Sequence, residues 1–314
     1  MKGTMKNSGL RIGVDVGGTK IEALAIAADG TEKLRYRVAT PQEDYDGTVA
    51  AVAGLVTRLE AELAGSATVG MGIPGTIVRE TGLVKNANST WLNGRPLEHD
   101  ISVALARPVR CTNDANCFAL SEASDGAAAG KNIVFGVIIG TGCGGGVAVG
   151  GRIHAGSNGV AGEWGHNPLP WQRPEEYPGP ACFCGQHGCL ERWVSGTGFA
   201  QDYERVTGSA ASGEAIVAAC ERGEPAAVSA VERLEDRLAR SLASLVNVLD
   251  PDVIVLGGGL SRLQRLYTNV PALLPRYVFG GSCNTPVLQA KHGDSSGVRG
   301  AAWLWSVQEA MNPR

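Results

Sequence analysis

The sequence predicts an α/β protein with two related lobes, and three observations support this prediction. A strand, a glycine turn and a second strand follow one another in RIGVDVGGTKIEALAI, from Arg11 to Ile26. The same pattern recurs in FGVIIGTGCGGGVAVGGRI, from Phe135 to Ile153, so the chain contains two related halves. The chain has 314 residues, more than the roughly 250 to 300 at which a single core stops growing.

Both glycine turns are candidates for binding phosphate. Residues 140–145 satisfy the G-x-G-x-x-G expression, but a strand follows them, whereas a dinucleotide-binding turn opens a helix. The segment GVDVGGTK also lacks the P-loop pattern. The backbone N–H groups of a hairpin turn can still bind phosphate, and Thr19 and Thr141 add hydroxyl donors. Taken alone, either turn is better explained as a hairpin without a ligand.

The segment TNDANCFALSEA carries the acid–base candidate. Its apolar spacing predicts a helix that begins near Asn113 and Asp114. One interpretation is that either side chain caps the helix. The other is that the Asp114 carboxylate acts as a general base.

The segment from Gly162 to Glu191 contains a candidate metal site. Three cysteines and one histidine, as thiolates and a neutral imidazole, make a set suited to tetrahedral Zn²⁺: His166, Cys182, Cys184 and Cys189. His187 is an alternative fourth ligand. The other interpretation is buried thiols or a disulfide, but the remaining cysteines are scattered singly, as in a reduced intracellular protein. These are Cys111, Cys117, Cys143, Cys220 and Cys283.

A third glycine cluster follows a long predicted helix. Leucines recur at helical spacing between Val231 and Leu249, which indicates an amphipathic helix that packs in the core. The next segment, DPDVIVLGGGLS from Asp250 to Ser261, predicts a short buried strand that ends in three glycines. Such an end suits the close approach of a nucleotide.

Composition argues against several classes of partner. The 28 basic and 31 acidic side chains form no basic stripe, so neither nucleic acid nor a membrane surface is expected. No apolar run approaches the roughly 18 residues that span a bilayer, and no N-terminal leader is evident. We therefore expect a soluble, cytoplasmic protein whose partner is a small molecule.

Six motifs in order resemble the ROK family of sugar kinases, repressors and related open reading frames. They are GVDVGGTK, NDAN, IIGTGCGGG, GEWGH, CFCGQHGCLE and VIVLGGGLS. Within the family, VKNANSTWLNG (Val84 to Gly94) together with EWGHNPLPW looks most similar to bacterial fructokinases that also accept mannose. The N-acetylglucosamine kinases of the family look different between Asn86 and Trp91.

The resemblance implies an actin-like, hexokinase-type (ribonuclease H-like) α/β fold of two lobes with a central cleft. The small lobe would contain residues 1–111 and a returning C-terminal helix at about 298–309. The large lobe, residues 112–291, would carry the zinc site. The family is often dimeric, so a homodimer is expected.

The family positions also imply a nucleotide site for ATP and Mg²⁺. Asp15 would lie near the magnesium ion. The phosphate turns and the adenosine site would be formed by Gly17, Gly18, Thr19, Lys20, Thr141, Gly142, Gly257, Gly258 and Gly259.

The implied sugar site combines carboxylates, amides and the histidine of the metal site. Its residues would be Asn113, Asp114, Glu163, His166 and Glu191, with Gly75 and Asn88 as weaker candidates. The family histidine can bind zinc through one ring nitrogen and sugar through the other. Zinc would then be structural, fixing the imidazole and the loop that bears Glu191. His99, His154, His187 and His292 are assigned no role.

The expected reaction is transfer of the ATP γ-phosphoryl group to the 6-hydroxyl of a hexose, with Asp114 accepting the proton. The substrate predicted from Val84 to Gly94 is fructose, with mannose and more weakly glucose, which makes the expected enzyme a fructokinase (ATP:D-fructose 6-phosphotransferase). One alternative is a kinase of N-acetylglucosamine or N-acetylmannosamine. Another is a non-catalytic sugar sensor or repressor, against which stands the short stretch of about ten residues ahead of Ile12, too short for a helix-turn-helix.

Overall fold

The structure of the protein is a computed structural model that describes residues 9–312. The described chain divides into two units. Unit 1 contains residues 9–129, 155–160 and 295–312, and unit 2 contains residues 130–154 and 161–294. The residues ahead of Gly9, on which the start of the predicted small lobe and part of the repressor argument fall, lie outside the described residues. The predicted lobe boundaries after Cys111 and Lys291 stay predictions.

Twelve strands and ten α-helices are present in the described chain. The strands are β1 (Arg11–Val16), β2 (Lys20–Ile26), β3 (Glu32–Ala39), β4 (Thr68–Ile73), β5 (Thr76–Ile77), β6 (Val84–Lys85), β7 (Val109–Asn113), β8 (Ile133–Ile139), β9 (Cys143–Val149), β10 (Arg152–Ile153), β11 (Val253–Gly257) and β12 (Val287–Gln289). The helices are α1 (Tyr45–Leu63), α2 (Leu97–Ala104), α3 (Asp114–Ser124), α4 (Glu191–Val194), α5 (Gly196–Thr207), α6 (Gly213–Glu221), α7 (Pro225–Leu249), α8 (Leu266–Leu273), α9 (Ser296–Trp303) and α10 (Val307–Met311).

Unit 1 is built on a five-stranded mixed sheet in the order β3-β2-β1-β4-β7. The pairs β1–β2 and β2–β3 are antiparallel, whereas β1–β4 and β4–β7 are parallel. Successive side chains of β2 point to opposite faces, so Ile21 and Ala23 join the core cluster that contains α1, while Leu24 joins the one that contains α9. Helices therefore cover both faces of the sheet.

The packing of α9 in unit 1 depends on glycines. A Cβ atom added to Gly13 of β1 would lie 1.9 Å from the carbonyl oxygen of Val298, and one added to Gly300 would lie 1.7 Å from that of Cys117. Only glycine lets α9 approach the sheet and α3 this closely. The segment for which one C-terminal helix was predicted contains α9 and α10, because Ser306 caps a new helix by accepting the N–H of Glu309.

Unit 2 contains a second five-stranded mixed sheet, in the order β10-β9-β8-β11-β12. Here β8–β9 and β9–β10 are antiparallel, and β8–β11 and β11–β12 are parallel. Its largest helix is α7, whose fully buried Leu238 and Leu242 pack in one core cluster with Val137 of β8 and Leu256 of β11. The amphipathic helix predicted for this region is confirmed.

The two sheets have the same strand directions in the same order, so the internal repeat predicted from the two glycine hairpins is present in the structure. In each sheet, three strands that are consecutive in the chain pair antiparallel, a fourth strand pairs parallel with the first of them, and a fifth pairs parallel with the fourth. Among the described helices, none combines the length and the apolar character that crossing a membrane would require.

Candidate active site

The first glycine turn joins β1 to β2 in unit 1. The N–H of Gly17 donates to the carbonyl of Lys20 at 2.9 Å and closes the hairpin. Thr40 supports the turn, because its hydroxyl donates to the carbonyl of Gly17 at 2.7 Å and its N–H donates to that of Thr19 at 3.0 Å. The result is a fixed turn whose residues Gly18, Thr19 and Lys20 are exposed.

Asp15 lies near the end of β1, opposite Glu22 of β2. Burial, together with the negative charges of Asp114 and Glu22, raises the pKa of Asp15 to about 6, although the positive charge of Lys20 opposes this rise. A nearby cation stabilises the ionised form of a carboxyl group in such surroundings, because its positive charge offsets both the burial and the neighbouring negative charges. The chemistry at this position is therefore that of a cation ligand or of a proton carrier.

Asp114 is the first residue of α3, directly after β7. Asn113 is the residue that caps the helix: its side-chain oxygen accepts the N–H of Ala115 at 2.8 Å, and its amide donates to the carbonyl of Gly75 at 3.0 Å. Asp114 is exposed. The same N–H of Ala115 also donates to Oδ1 of Asp114 at 2.7 Å. Asn113 is thus the capping residue of α3, and the Asp114 carboxylate is exposed but shares the contact at the helix start.

The unit 1 candidates meet because their strands are neighbours. Strands β1, β4 and β7 are parallel and adjacent, and their carboxyl ends carry Asp15, Gly75 and the pair Asn113 and Asp114. Ligands of open α/β sheets bind at this edge.

Gly75 also brings Asn88 to the same edge. With a φ of +82°, Gly75 packs so closely on segment 85–87 that an added Cβ would lie 2.7 Å from the Ala87 nitrogen. The side chain of Asn93 fixes Ala87 with two hydrogen bonds, of 2.9 and 3.0 Å. Asn88 follows as an exposed residue.

The second glycine turn joins β8 to β9 in unit 2. The N–H of Gly140 donates to the carbonyl of Gly142 at 3.0 Å, and the carbonyl of Gly140 accepts the N–H of Gly196, the first residue of α5, at 2.7 Å. Gly258, at φ +85°, packs on the turn, since an added Cβ would lie 2.7 Å from the Gly140 nitrogen. The positive end of the α5 dipole thus lies beside the turn, which favours an anion there.

A cavity of about 920 Å³ lies beside this turn, within unit 2. Of the predicted nucleotide residues, Thr141 and Gly259 line it. Gly257 ends β11 and Gly142 adjoins the carboxylate of Glu191. The remaining walls come from α5, α6 and residues 260–263. Sequence reasoning assigned no role to α5 or α6; the available signal was the amphipathic spacing of α6.

The candidate metal ligands converge in unit 2. The ligand atoms of His166, Cys182, Cys184 and Cys189 all lie within 4.8 Å of one another. His166 Nδ1 is 3.7 Å from Cys182 Sγ, and the sulfurs of Cys184 and Cys189 are 3.6 Å apart. Zn–S bonds of about 2.3 Å in a tetrahedron place two sulfurs about 3.8 Å apart, so these residues fit a zinc ion. Among the described residues, this group does not include His187.

The nitrogen that faces the sulfurs is Nδ1, so Nε2 of His166 is the ring nitrogen left for another partner. The sugar candidates lie on the same two segments. The N–H of Leu190 donates to the carbonyl of Asn167 at 2.9 Å, and that of Leu169 donates to the carbonyl of Gly188 at 3.0 Å, which aligns residues 167–169 with 188–190. Glu191 follows one segment, and its carboxylate accepts the N–H of Cys143 at 3.1 Å.

Glu163 precedes the 3₁₀ turn Trp164–His166 and is exposed. The turn is anchored by Trp164, whose indole N–H donates to the carbonyl of Gly144 at 2.9 Å and whose ring contacts Phe135 edge to face. Trp164 therefore fixes the turn that carries Glu163 and His166 to β9.

The loop between the two ligand segments rests on a buried ion pair that the sequence did not reveal. Glu176 accepts from Arg240 at 2.8 and 2.9 Å and from Arg237 at 2.9 Å, and all three side chains are almost fully buried. Burial alone would raise the pKa of Glu176, but the hydrogen bonds from Arg240, the Arg173 N–H and Arg237 lower it to about 2. The loop is thereby fixed to α7.

Known proteins resemble this chain over nearly its whole length. The N-acetyl-D-glucosamine kinase of Vibrio cholerae is 42% identical over 296 residues, which cover 93% of this chain and 98% of the relative. The ROK hexokinase of Thermus thermophilus superposes with a TM-score of 0.84 at 32% identity, covering 95% of this chain and 98% of that one. The ROK glucokinase of Streptomyces griseus, solved with glucose and AMPPNP, gives 0.73 at 30% identity, covering 93% and 98%.

The prediction of a fructokinase is wrong, because the relatives at about 40% identity are N-acetyl-D-glucosamine kinases. The prediction depended on the short segment from Val84 to Gly94. In the structure, several of its residues support the backbone: Val84 is buried, Asn93 binds Ala87, and Leu92 is fully buried. Sequence similarity in such a segment therefore reflects residues that support the local backbone as much as residues that bind a substrate.

The solved structures confirm the hexokinase-type, actin-like α/β fold with mixed sheets. The family model for ROK matches residues 11–308. The chain belongs to the ROK family.

Proposed function

We propose that this protein is an ATP-dependent N-acetyl-D-glucosamine kinase that phosphorylates the 6-hydroxyl of the sugar. The observation that carries the proposal is the 42% identity to the Vibrio cholerae enzyme across 93% of the chain. The match covers 93% of this chain and 98% of the relative, so it spans both units.

Two observations support ATP as the donor. The Streptomyces griseus glucokinase, 30% identical, was solved with AMPPNP, a close analogue of ATP. In this chain, the cavity beside the second glycine turn offers about 920 Å³ and has the N-terminus of α5 at the turn. Phosphates would bind at Gly140 and Thr141, and the nucleoside would occupy the cavity.

We assign the role of general base to Asp114. Asp114 is exposed at the carboxyl edge of the unit 1 sheet, and one of its carboxylate oxygens accepts the N–H of Ala115 at 2.7 Å, which orients the group. Asp114 would accept the proton of the 6-hydroxyl as that oxygen attacks the γ-phosphorus in line and the ADP oxygen leaves. Asn113, Asn88 and the backbone near Gly75 would bind sugar hydroxyls, as would Glu163, His166 Nε2 and Glu191.

Asp15 fits a magnesium ligand, because its carboxylate is a hard oxygen donor in a partly buried, acidic environment. Magnesium bound with ATP would neutralise charge on the phosphates. Gly18, Thr19 and Lys20 would contact the phosphates from the first turn.

The cluster of His166, Cys182, Cys184 and Cys189 fits a structural zinc ion, since the set offers three thiolates and one imidazole within tetrahedral reach. These residues would fix the His166 ring so that Nε2 binds the sugar. The homodimer and the cytoplasmic location stay predictions.

Initial rates of ADP formation with Mg-ATP test the proposal across N-acetylglucosamine, N-acetylmannosamine, glucose, mannose and fructose. We expect the highest kcat/KM with N-acetylglucosamine. A maximum with glucose would move the assignment toward the Streptomyces griseus relative. Absence of turnover with every sugar would reject a kinase.

A further inference from the structure

Helix α6 carries two carboxylates on the face that lines the cavity of unit 2. Beyond its first residue, Gly213, four of its residues line the cavity: Glu214, Val217, Ala218 and Glu221. They are spaced i, i+3, i+4 and i+7, which is one face of an α-helix. The opposite face packs in the core through Ile216, Ala219 and Cys220. The wall that α6 contributes to the cavity is therefore an apolar strip with one acidic residue at each end. The two acidic residues are about 10 Å apart along the helix.

Within residues 9–312, the carboxylates of Glu214 and Glu221 have no competing partner. Both residues are exposed, and neither side chain takes part in a hydrogen bond or an ion pair with another described residue. Other acidic residues of the same unit do pair, as Glu224 does with Arg222 and Glu235 with Arg265. The acceptor oxygens of Glu214 and Glu221 are thus available to a ligand in the cavity.

The second glycine turn defines which end of the cavity receives phosphate. Gly213 begins α6, and an added Cβ there would lie 3.9 Å from the carbonyl oxygen of Gly196, whose N–H binds Gly140. Glu214 is therefore close to the phosphate end, and Glu221 lies two helical turns farther away. In a nucleoside triphosphate the ribose lies between the phosphates and the base.

We propose that Glu214 and Glu221 select the donor nucleotide: Glu214 accepts hydrogen bonds from the ribose hydroxyls, and Glu221 accepts one from the exocyclic amino group of a 6-aminopurine. The proposal rests on the proposed ATP-dependent function. Val217 and Ala218, with Leu260 on another wall, supply the apolar surface on which the base lies.

The chemistry of a carboxylate accounts for the selectivity in both places. An ionised carboxylate only accepts hydrogen bonds, so it binds a hydroxyl or an amino group and repels a keto oxygen. A donor without the 2′-hydroxyl loses the bond to Glu214, and a donor with a 6-keto group places an acceptor against Glu221. Hydrogen bonds to charged groups are strong enough that each loss costs about tenfold or more in kcat/KM.

The test compares ATP, 2′-deoxy-ATP and inosine triphosphate as donors, with the full-length protein and saturating sugar. The first pair of donors differs only at the ribose, and the second only at position 6 of the base. The variants are Glu214→Ala and Glu221→Ala, and Glu204→Ala, an exposed position of α5 outside the cavity, is the matched control. Alanine favours helix at each position, and melting temperatures verify that the variants fold.

For wild type and the control we expect ATP to exceed each of the other donors by at least about tenfold in kcat/KM. Glu214→Ala should reduce the kcat/KM ratio of ATP to 2′-deoxy-ATP to below about threefold and leave the kcat/KM ratio of ATP to inosine triphosphate unchanged. Glu221→Ala should reduce the ratio of ATP to inosine triphosphate to below about threefold and leave the ratio of ATP to 2′-deoxy-ATP unchanged. Ratios that stay at the wild-type value in the variants, or a wild type that does not discriminate, would overturn the inference while ATP turnover itself upholds the proposed function. No turnover of ATP by wild type would instead reject the function.

Discussion

The two glycine hairpins have the same place in their sheets but different surroundings. In unit 1, the turn between β1 and β2 follows Asp15, which faces Glu22 across the hairpin. In unit 2, the turn between β8 and β9 adjoins the start of α5 and a cavity. The first hairpin thus belongs to an edge rich in carboxylates, and the second to a pocket suited to a nucleotide.

The units also secure their candidate residues by different means. In unit 1, α3 with Asp114 at its start is held against α9 by the close approach at Gly300. In unit 2, the loop that carries the cysteines is held by the buried ion pairs of Glu176. A repeated backbone thus supplies the same frame in both units, whereas the residues around each turn, in α3, α5 and the cysteine loop, differ between them.

The largest effect should come from Asp114, the proposed general base in unit 1. We expect Asp114→Asn to lower kcat by at least about 100-fold, because an amide cannot accept the hydroxyl proton, with the KM for sugar within about threefold of wild type. Asp46→Asn, at an exposed position of α1, is the control and should be neutral. Steady-state kinetics measure both. A kcat for Asp114→Asn within a few-fold of wild type would remove this role.

The ion pair of unit 2 should matter most for stability. We expect Glu176→Gln to lower the free energy of unfolding by about 3 kcal/mol at pH 7, because the buried Arg237 and Arg240 lose the carboxylate that they share and keep only Asp202 and Asp236 as partners. Urea unfolding measures this, and the exposed neighbour Glu175→Gln should have little effect.

The difference in unfolding free energy between wild type and Glu176→Gln should depend on pH, and the lowered pKa of Glu176 defines the sign of that dependence. The folded-state pKa of Glu176, about 2, lies below its ordinary value of 4.5. The stability that ionised Glu176 contributes is therefore fully present above about pH 4.5 and is lost as the pH falls toward 2. The gap between wild type and Glu176→Gln should narrow over that window; a gap that is constant with pH would contradict the lowered pKa.

Disrupting the cysteine cluster should change the affinity for the sugar much more than the affinity for the nucleotide. Cys184→Ser, or removal of zinc with a chelator, should weaken binding of N-acetylglucosamine about 10- to 100-fold, because His166 and Glu191 lose their support. Binding of AMPPNP should change far less. Calorimetric titrations and zinc content decide this, with Cys283→Ser as control. Equal loss of both affinities would indicate unfolding instead.

The smallest effect tests the close packing of unit 1. Gly300→Ala should destabilise the protein by about 1–3 kcal/mol, since the new methyl group would collide with the Cys117 carbonyl. Gly54→Ala, in α1, meets nothing within 4 Å and should stabilise by about 0.5–1 kcal/mol. Denaturant midpoints measure both. A neutral Gly300→Ala would show that α9 can shift.

The sequence was sufficient for the features that depend on local pattern. The alternating strands and the glycine turns predicted the repeat, and the leucine spacing predicted α7. The six family motifs implied the α/β fold, and the clustered cysteines predicted ligand atoms that do converge. These signals lie within short segments, where one residue's neighbours in sequence are also its neighbours in space.

Features that depend on distant residues were not predictable. Glu176 pairs with Arg237 and Arg240, which are more than 60 residues away in sequence, and the α6 wall of the cavity contains no unusual motif. The substrate was misassigned for a related reason. Recognition of one sugar over another depends on a few hydroxyl and acetamido contacts, and a short run such as Val84 to Gly94 combines contact residues with residues that only support the turn.

Identification of the product distinguishes an N-acetylglucosamine 6-kinase from every alternative reaction. The protein is incubated with Mg-ATP and N-acetylglucosamine, and the mixture is followed by phosphorus and proton NMR. We expect N-acetylglucosamine 6-phosphate and ADP in equal amounts. ADP without a sugar phosphate, phosphate on another hydroxyl, or no reaction would contradict the account.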